Sequence, residues 1–143
     1  MKGLYILEKY FILFFIGGTA YFYLEIIARG YSHISMFVCG GICFLGCGMW
    51  KEIFPGSMGM LWQMLCSSIF ITITELITGL IVNVWLQQNV WDYSMLPLNF
   101  MGQICLFYSI LWVFLSAAAI YLNDYLRRRL FEDFCLFFLF LIL

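Results

Sequence analysis

The sequence predicts an all-α integral membrane protein with four transmembrane helices, and three observations carry that prediction. Hydrophobic residues make up 65% of its 143 residues and charged residues 10%, whereas globular domains carry about 25% charged residues. Seven Lys or Arg and eight Asp or Glu are too few to coat a water-facing surface. Apolar runs of near-membrane length alternate with short polar breaks. The basic residues gather at alternate breaks, as topology demands of a multi-pass chain. The whole chain, 1–143, reads as a single membrane domain.

The first span is expected over about residues 10–28, after a short lead containing Glu8 and Lys9. Gly17 and Gly18 lie mid-span, where small residues let a neighbouring helix approach closely. The segment EIIARGYSHIS, Glu25 to Ser35, follows; it ends one apolar run, opens the next and concentrates Glu25, Arg29 and His33. The second span covers about 34–50 and is rich in glycine and cysteine, with Lys51, Glu52, Pro55 and Gly56 as its break. The third, about 58–86, would exceed ~40 Å as one straight helix, so it must tilt, break or project from the bilayer. QQNVWDYS (Gln87 to Ser94) is its polar terminus; Ser94 is a candidate cap and Pro97 suits the first turn of a fourth span over about 98–122. A cytoplasmic or interfacial tail, 123–143, ends in ten apolar residues, FCLFFLFLIL, too few to cross the bilayer.

Lys2, Lys9, Lys51 and Arg127 to Arg129 fall on one side of four spans, and Arg29 alone falls near the other. The positive-inside bias places both termini in the cytoplasm and the Glu25–His33 and Asn89–Ser94 turns outside. Trp50, Trp62, Trp85 and Trp91 are expected at the membrane interfaces. An offset of 62 residues pairs Tyr31, Ser32, Gly40, Ile42, Cys43 and Trp50 with Tyr93, Ser94, Gly102, Ile104, Cys105 and Trp112. That likeness suggests two parallel two-helix pseudo-repeats, unlike the inverted repeats of many transporters.

Several classes are disfavoured. A formal net charge of −1 without a basic face argues against nucleic acid. Cys39, Cys43, Cys47, Cys66 and Cys105 all lie within apolar runs, where thiols act as small hydrophobes, so no disulfide framework is expected from the six cysteines. Cys39, Cys43 and Cys47 share a helical face that could hold a soft metal, but close packing is the simpler reading, and no metal or other cofactor is expected. The first apolar run lacks a small-residue cleavage site and should remain in the mature protein. There is no Walker-type phosphate loop, Gly-x-Ser-x-Gly elbow or His-Glu-x-x-His.

The candidate site rests on two helical stripes: Gly18, Tyr21, Glu25 and Arg29, and Thr72, Glu75, Gly79 and Asn83. Glu25 and Arg29 have the favourable i, i+4 order for an ion pair. Glu75 lies deep in its run, and a carboxylate there costs roughly 2.5–3.5 kcal/mol on insertion scales, so it must be protonated, paired or wet. Glu25, Arg29, His33, Glu75, Asn83, Asp92, Asn99 and Gln103 are the candidates to bind an ion, proton or polar substrate. Against this, Glu75 could be a packing hydrogen bond, Glu25–Arg29 an interfacial pair and His33 an ordinary interfacial side chain.

The segments GGTAYFYLEIIARGYSHISMFVCGG (Gly17 to Gly41), TITELITGLIVN (Thr72 to Asn83) and WDYSMLPLNFMGQIC (Trp91 to Cys105) resemble the bacterial family of putative ABC-transporter type IV proteins. The resemblance covers about Gly17 to Asp124 and does not take in the apolar end after Asp133. It implies a small polytopic protein of the bacterial cytoplasmic membrane. The expected function is a permease-like subunit or small transporter with a polar pocket opening outward. Four helices are few to enclose a path, so a homo-oligomer or a separate ATPase subunit is expected beside the lipid bilayer. The alternatives are a non-transporting membrane scaffold whose polar seam fixes helix packing, and an intramembrane enzyme using Glu and His as acid and base.

Overall fold

The computed structural model describes residues 2–56 and 58–132. Helix α1 spans Lys2–Arg29, α2 Ile34–Ile53, α3 Met60–Gly79 and α4 Leu106–Arg127. Helix α3 runs on through a π-helical stretch, Leu80–Trp85, and α4 through another, Arg128–Glu132. Strands β1 (Asn99–Phe100) and β2 (Ile104–Cys105) form a small antiparallel hairpin, with Asn99 opposite Cys105. Four helical stretches are long and apolar enough to span a bilayer: Ile6–Arg29, Ile34–Ile53, Met60–Trp85 and Leu106–Phe131. The all-α membrane architecture is as the composition and apolar runs predict.

Local chemistry explains the boundaries. Gly30 takes a left-handed φ of +82° and donates to Ile26 O at 2.8 Å, ending α1. His33 is the N-cap of α2, its Nδ1 accepting from Ser35 N at 3.2 Å. The third span breaks rather than running straight: Leu86 N donates to Ile81 O at 2.8 Å and Gln88 N to Val82 O at 3.0 Å, widening the last turns before the chain leaves the helix.

Helix α2 is the hub. Half of its apolar stretch is buried, against 17–28% in the other three spans. Its cysteine face, Cys39, Cys43 and Cys47, packs with Ile71, Trp112 and Ile120 into the central core. These thiols, with Cys66 and Cys105, are free. Helices α1 and α2 interlock through glycines: side chains on Gly17 and Gly18 would collide with Phe44 and Phe37, and on Gly40 and Gly41 with Tyr21 and Phe14. Backbone-close packing of this kind replaces the hydrophobic drive that lipid cannot supply. Hydrogen bonds add to it, from Trp50 Nε1 to Ser67 Oγ (2.9 Å) and Ser68 Oγ to Ser109 O (2.6 Å).

The fourth helix begins at Leu106, not near Leu98. Asn99 donates to Ser94 O (3.2 Å) and Leu96 O (2.8 Å) and accepts from Gly102 N (3.1 Å). Such short-range side-chain bonds compete with helix formation, and Gly102 has a left-handed φ of +69°. Ser94 and Pro97 therefore lie in turns rather than at a helix start. The 62-residue likeness is not matched locally in the backbone: Gly40 to Cys43 are helical, whereas Gly102 to Cys105 build the hairpin. Trp62 and Trp85 are exposed near the ends of α3, but Trp91 is buried and donates to Gln103 O at 3.0 Å. The apolar run 134–143 lies outside the described residues.

Candidate functional site

The polar residues singled out from the sequence gather at one end of the bundle in two layers. The deeper layer centres on Glu75, which is 2% exposed. Tyr93 Oη donates to its Oε1 and Trp112 Nε1 to its Oε2, each at 3.0 Å. Tyr93 comes from the segment after α3, and Trp112 from α4, so the carboxylate ties both to α3. Tyr21 on α1 packs its ring against Trp112, with centroids 5.9 Å apart, and Tyr108 stacks on Tyr93 at 4.6 Å. An aromatic sleeve thus encloses a carboxylate that could not be left bare in hydrocarbon. Burial, then the nearby Glu75 carboxylate, pushes the Tyr93 phenol up, which keeps it a neutral donor.

The upper layer is the connecting segment 86–105, folded over the end of α3. Asn83, in the π-helical stretch, is its anchor. Its Nδ2 donates to Trp91 O (3.0 Å) and Gln103 Oε1 (2.8 Å), and its Oδ1 accepts from Val90 N (2.7 Å). Gln103 donates in turn to Met101 O at 3.0 Å. A side chain on Gly79 would run into Gln103 and Trp91, so glycine lets the segment lie flat on the helix. Asp92 accepts from Ser94 N (2.8 Å) and Ser94 Oγ (3.0 Å). The fastening is tight enough to hold Gln87, Asn89, Leu98 and Met101 at φ of 49–54°, a region costly for residues other than glycine.

At the rim, Arg29 Nη2 lies 2.9 Å from Glu25 Oε1, as the i, i+4 spacing predicts. Arg29 Nη1 donates to Val90 O at 3.2 Å, tying α1 to the segment. Glu25 Oε2 also accepts from Ser32 Oγ at 2.6 Å. His33 Nδ1 is engaged by Ser35, 2.8 Å from its Oγ, while Glu75 is engaged by Tyr93 and Trp112. Each half of the imagined acid–base pair has its partners elsewhere. Tyr93, Trp91 and Trp112 are central to this arrangement, yet polarity alone does not single them out. The legible signal was WDYS beside an apolar run, an aromatic-rich polar break.

At the opposite end, Lys51 pairs with Asp124 and Arg127 with Glu52. Arg127 Nε donates to Asn123 Oδ1 (2.6 Å), and Asn123 Nδ2 to Phe44 O (3.0 Å). Tyr10 Oη donates to Glu52 Oε2 at 2.8 Å. The basic residues that the sequence assigns to one side, Lys9, Lys51, Arg127 and Arg128, do line one cleft. Among the described residues, no group of three or more His, Cys, Asp or Glu is placed to hold a metal.

The family model described as "Putative ABC-transporter type IV" matches residues 9–143. The chain belongs to that family. The match takes in the apolar end after Asp133, which the sequence resemblance had left out. Neither the curated proteins nor the solved structures gave a match. Membership of the type IV family and four membrane-length helices together make this a transporter-family membrane protein.

Proposed function

We propose that the chain is a permease-like membrane subunit of a transporter, with Glu75 at its polar centre and segment 86–105 as the closure over it. The observation that carries this reading is the coordination of a fully buried carboxylate by donors from two different elements, one of them the closure itself. Lifting the segment withdraws Tyr93 and opens Glu75 to a cation, proton or polar substrate. Trp112 remains to orient the carboxylate. Asn83 and Gln103 hold the closure, Asp92 and Asn99 shape its turns, and Glu25, Arg29 and His33 form the rim. A homo-oligomer or a separate ATP-hydrolysing subunit completes the path and supplies the energy. The basic end faces the cytoplasm of a bacterial cell, with both termini there.

The test is purification in mild detergent from the native cell with mass spectrometry of bound proteins, followed by flux in proteoliposomes containing whatever co-purifies. Glu75→Gln should abolish flux while leaving expression and oligomeric state intact. A second reading, a non-transporting scaffold, is favoured by one observation: the amides of Asn83 and Gln103 are spent on the segment's own backbone and on each other. For a scaffold, the same substitution would change assembly or thermal stability with no flux to lose.

A further inference from the structure

The segment that closes over Glu75 has two unlike limbs. On the first, Gln87, Gln88, Asn89, Asp92 and Ser94 are exposed and polar. The second, 95–101, exposes Met95, Pro97, Leu98, Phe100 and Met101 instead, with Met95 94% and Leu98 76% exposed. No Lys, Arg, Asp or Glu falls between Asp92 and Asp124, so this limb and α4 form one uncharged run. A cluster of exposed apolar side chains marks a contact surface. Two of these side chains are presented at a cost. Leu98 and Met101 sit at φ of +54° and +53°, a region that residues other than glycine and asparagine rarely occupy.

Depth and continuity decide what covers this limb. Trp85 ends the membrane-length stretch of α3, and roughly 9 Å of helix separates it from Gly79. A side chain on Gly79 would meet Gln103 and Trp91, and Tyr93 reaches Glu75. The chain after Trp85 therefore turns back alongside α3, to a level inside its apolar end. Leu106 N donates to Leu98 O at 3.3 Å, so the limb abuts the start of α4. There Leu106, Phe107 and Ile110 are exposed on a membrane-length helix. Irregular backbone is tolerated at membrane depth only where it packs on protein and its polar groups are satisfied. Here Gly102, Gln103 and Cys105 are buried. Tyr93 N donates to Gly102 O (2.7 Å), Leu96 N to Tyr93 O (2.9 Å) and Gln103 N to Phe100 O (3.0 Å). The one polar side chain within 95–101, Asn99, is spent on Ser94, Leu96 and Gly102.

We propose that limb 95–101 is a re-entrant lipid anchor. Met95, Leu98, Phe100 and Met101 insert among the acyl chains at the hydrocarbon edge of the leaflet on their own side, beside α4. The polar limb stays in water. Lipid thereby helps to hold segment 86–105 down on Glu75. The inference does not rest on transport and stands if that reading fails.

The test is photocross-linking of the full chain in proteoliposomes of phosphatidylcholine carrying a diazirine in its acyl chain, with adducts mapped by peptide mass spectrometry. Adducts on 95–101 should be as frequent as those on Phe107 and Phe114, and rare on Gln87 to Asn89. A water-soluble oxidant should spare Met95 and Met101 in the same vesicles. Adducts no more frequent on 95–101 than on Gln87 to Asn89 would overturn the proposal. Methionines spared without lipid adducts would do so too, by assigning the cover to protein such as a second copy. The Leu98→Asn/Met101→Asn double variant keeps the backbone, because asparagine accepts a left-handed φ, and removes the apolar contact. Protease cleavage within 86–105 in vesicles should then rise about tenfold or more, as expected from losing two apolar insertions. On a limb in water the same variant only relieves strain, so unchanged or slower cleavage would count against the anchor. If the variant does not fold, the adduct map of the unaltered chain decides.

Discussion

At one end of the bundle the segment 86–105 is fastened by neutral amides and indoles to backbone groups, whereas at the other the helix ends are joined by Lys51–Asp124 and Glu52–Arg127. The first end is dry: Asn83, Gln103, Val90 and Trp91 are all buried. The second is partly wet, with the Glu52 side chain 44% and the Lys51 side chain 49% exposed. Hydrogen bonds in a dry site are costly to leave unmade, while ion pairs in contact with water gain little and are screened by salt. The closure over Glu75 should therefore be a cooperative unit, and the basic end an adjustable one.

Asn83→Ala is the strongest way to break that contrast. It strands Val90 N–H and removes the donor to Trp91 O and Gln103 Oε1, at a cost of about 3 kcal/mol. Thermal unfolding in detergent should show the loss, and limited proteolysis should begin to cut within 86–105. Unchanged protection would mean that Asn83 is not the anchor. Paired glycine substitutions come next. Gly79→Ala drives a methyl group into Gln103 and Trp91, and Gly48→Ala drives one into Asn123. Overpacking of this kind costs about 1–3 kcal/mol, but proteolysis of 86–105 should respond to Gly79→Ala alone.

Alkaline titration sharpens the comparison further. Tyr93 is raised above its ordinary value of 10.0, so its hydrogen bond to Glu75 contributes fully below about pH 10 and fades as pH climbs through the higher folded value. The wild-type closure should loosen on alkalinisation more than that of Tyr93→Phe; parallel profiles would remove Tyr93 from the closure. The smallest effect is expected at the basic end. Lys51→Gln should cost less than about 1 kcal/mol, because the Lys51 side chain is 49% exposed and its pair with Asp124 is in contact with water. Raising salt to ~1 M should shrink even that difference and leave the Asn83→Ala deficit unchanged.

How much of this was legible beforehand depends on the range of the interaction. The Glu25–Arg29 pair needs four residues of helix and nothing else, so spacing revealed it. Glu75 stood out because hydrocarbon makes any carboxylate conspicuous, but its partners lie 18 and 37 residues away and spacing could not name them. Asn83 and Gln103 were picked as pocket linings for their polarity. That polarity is spent instead on fastening a segment, which depends on where the segment returns. The expected helix start near Leu98 misjudged Pro97 and Asn99, because Asn99 closes turns on Ser94 and Leu96 that pattern reading weighs below apolar content.

The sequence by itself determined the solvent, the four spans, the sidedness of charge and the close-packing role of glycine and cysteine. All of these follow from composition and from periodicities a single helix can express. Only the tertiary structure decided that α2 is the hub, that Glu75 is held by Tyr93 and Trp112, and that Lys9, Lys51, Arg127 and Arg128 share one cleft. Those facts depend on which helix faces touch. In lipid that choice is made by small differences in close packing and hydrogen bonding among many apolar faces, and no stretch of the chain encodes it alone.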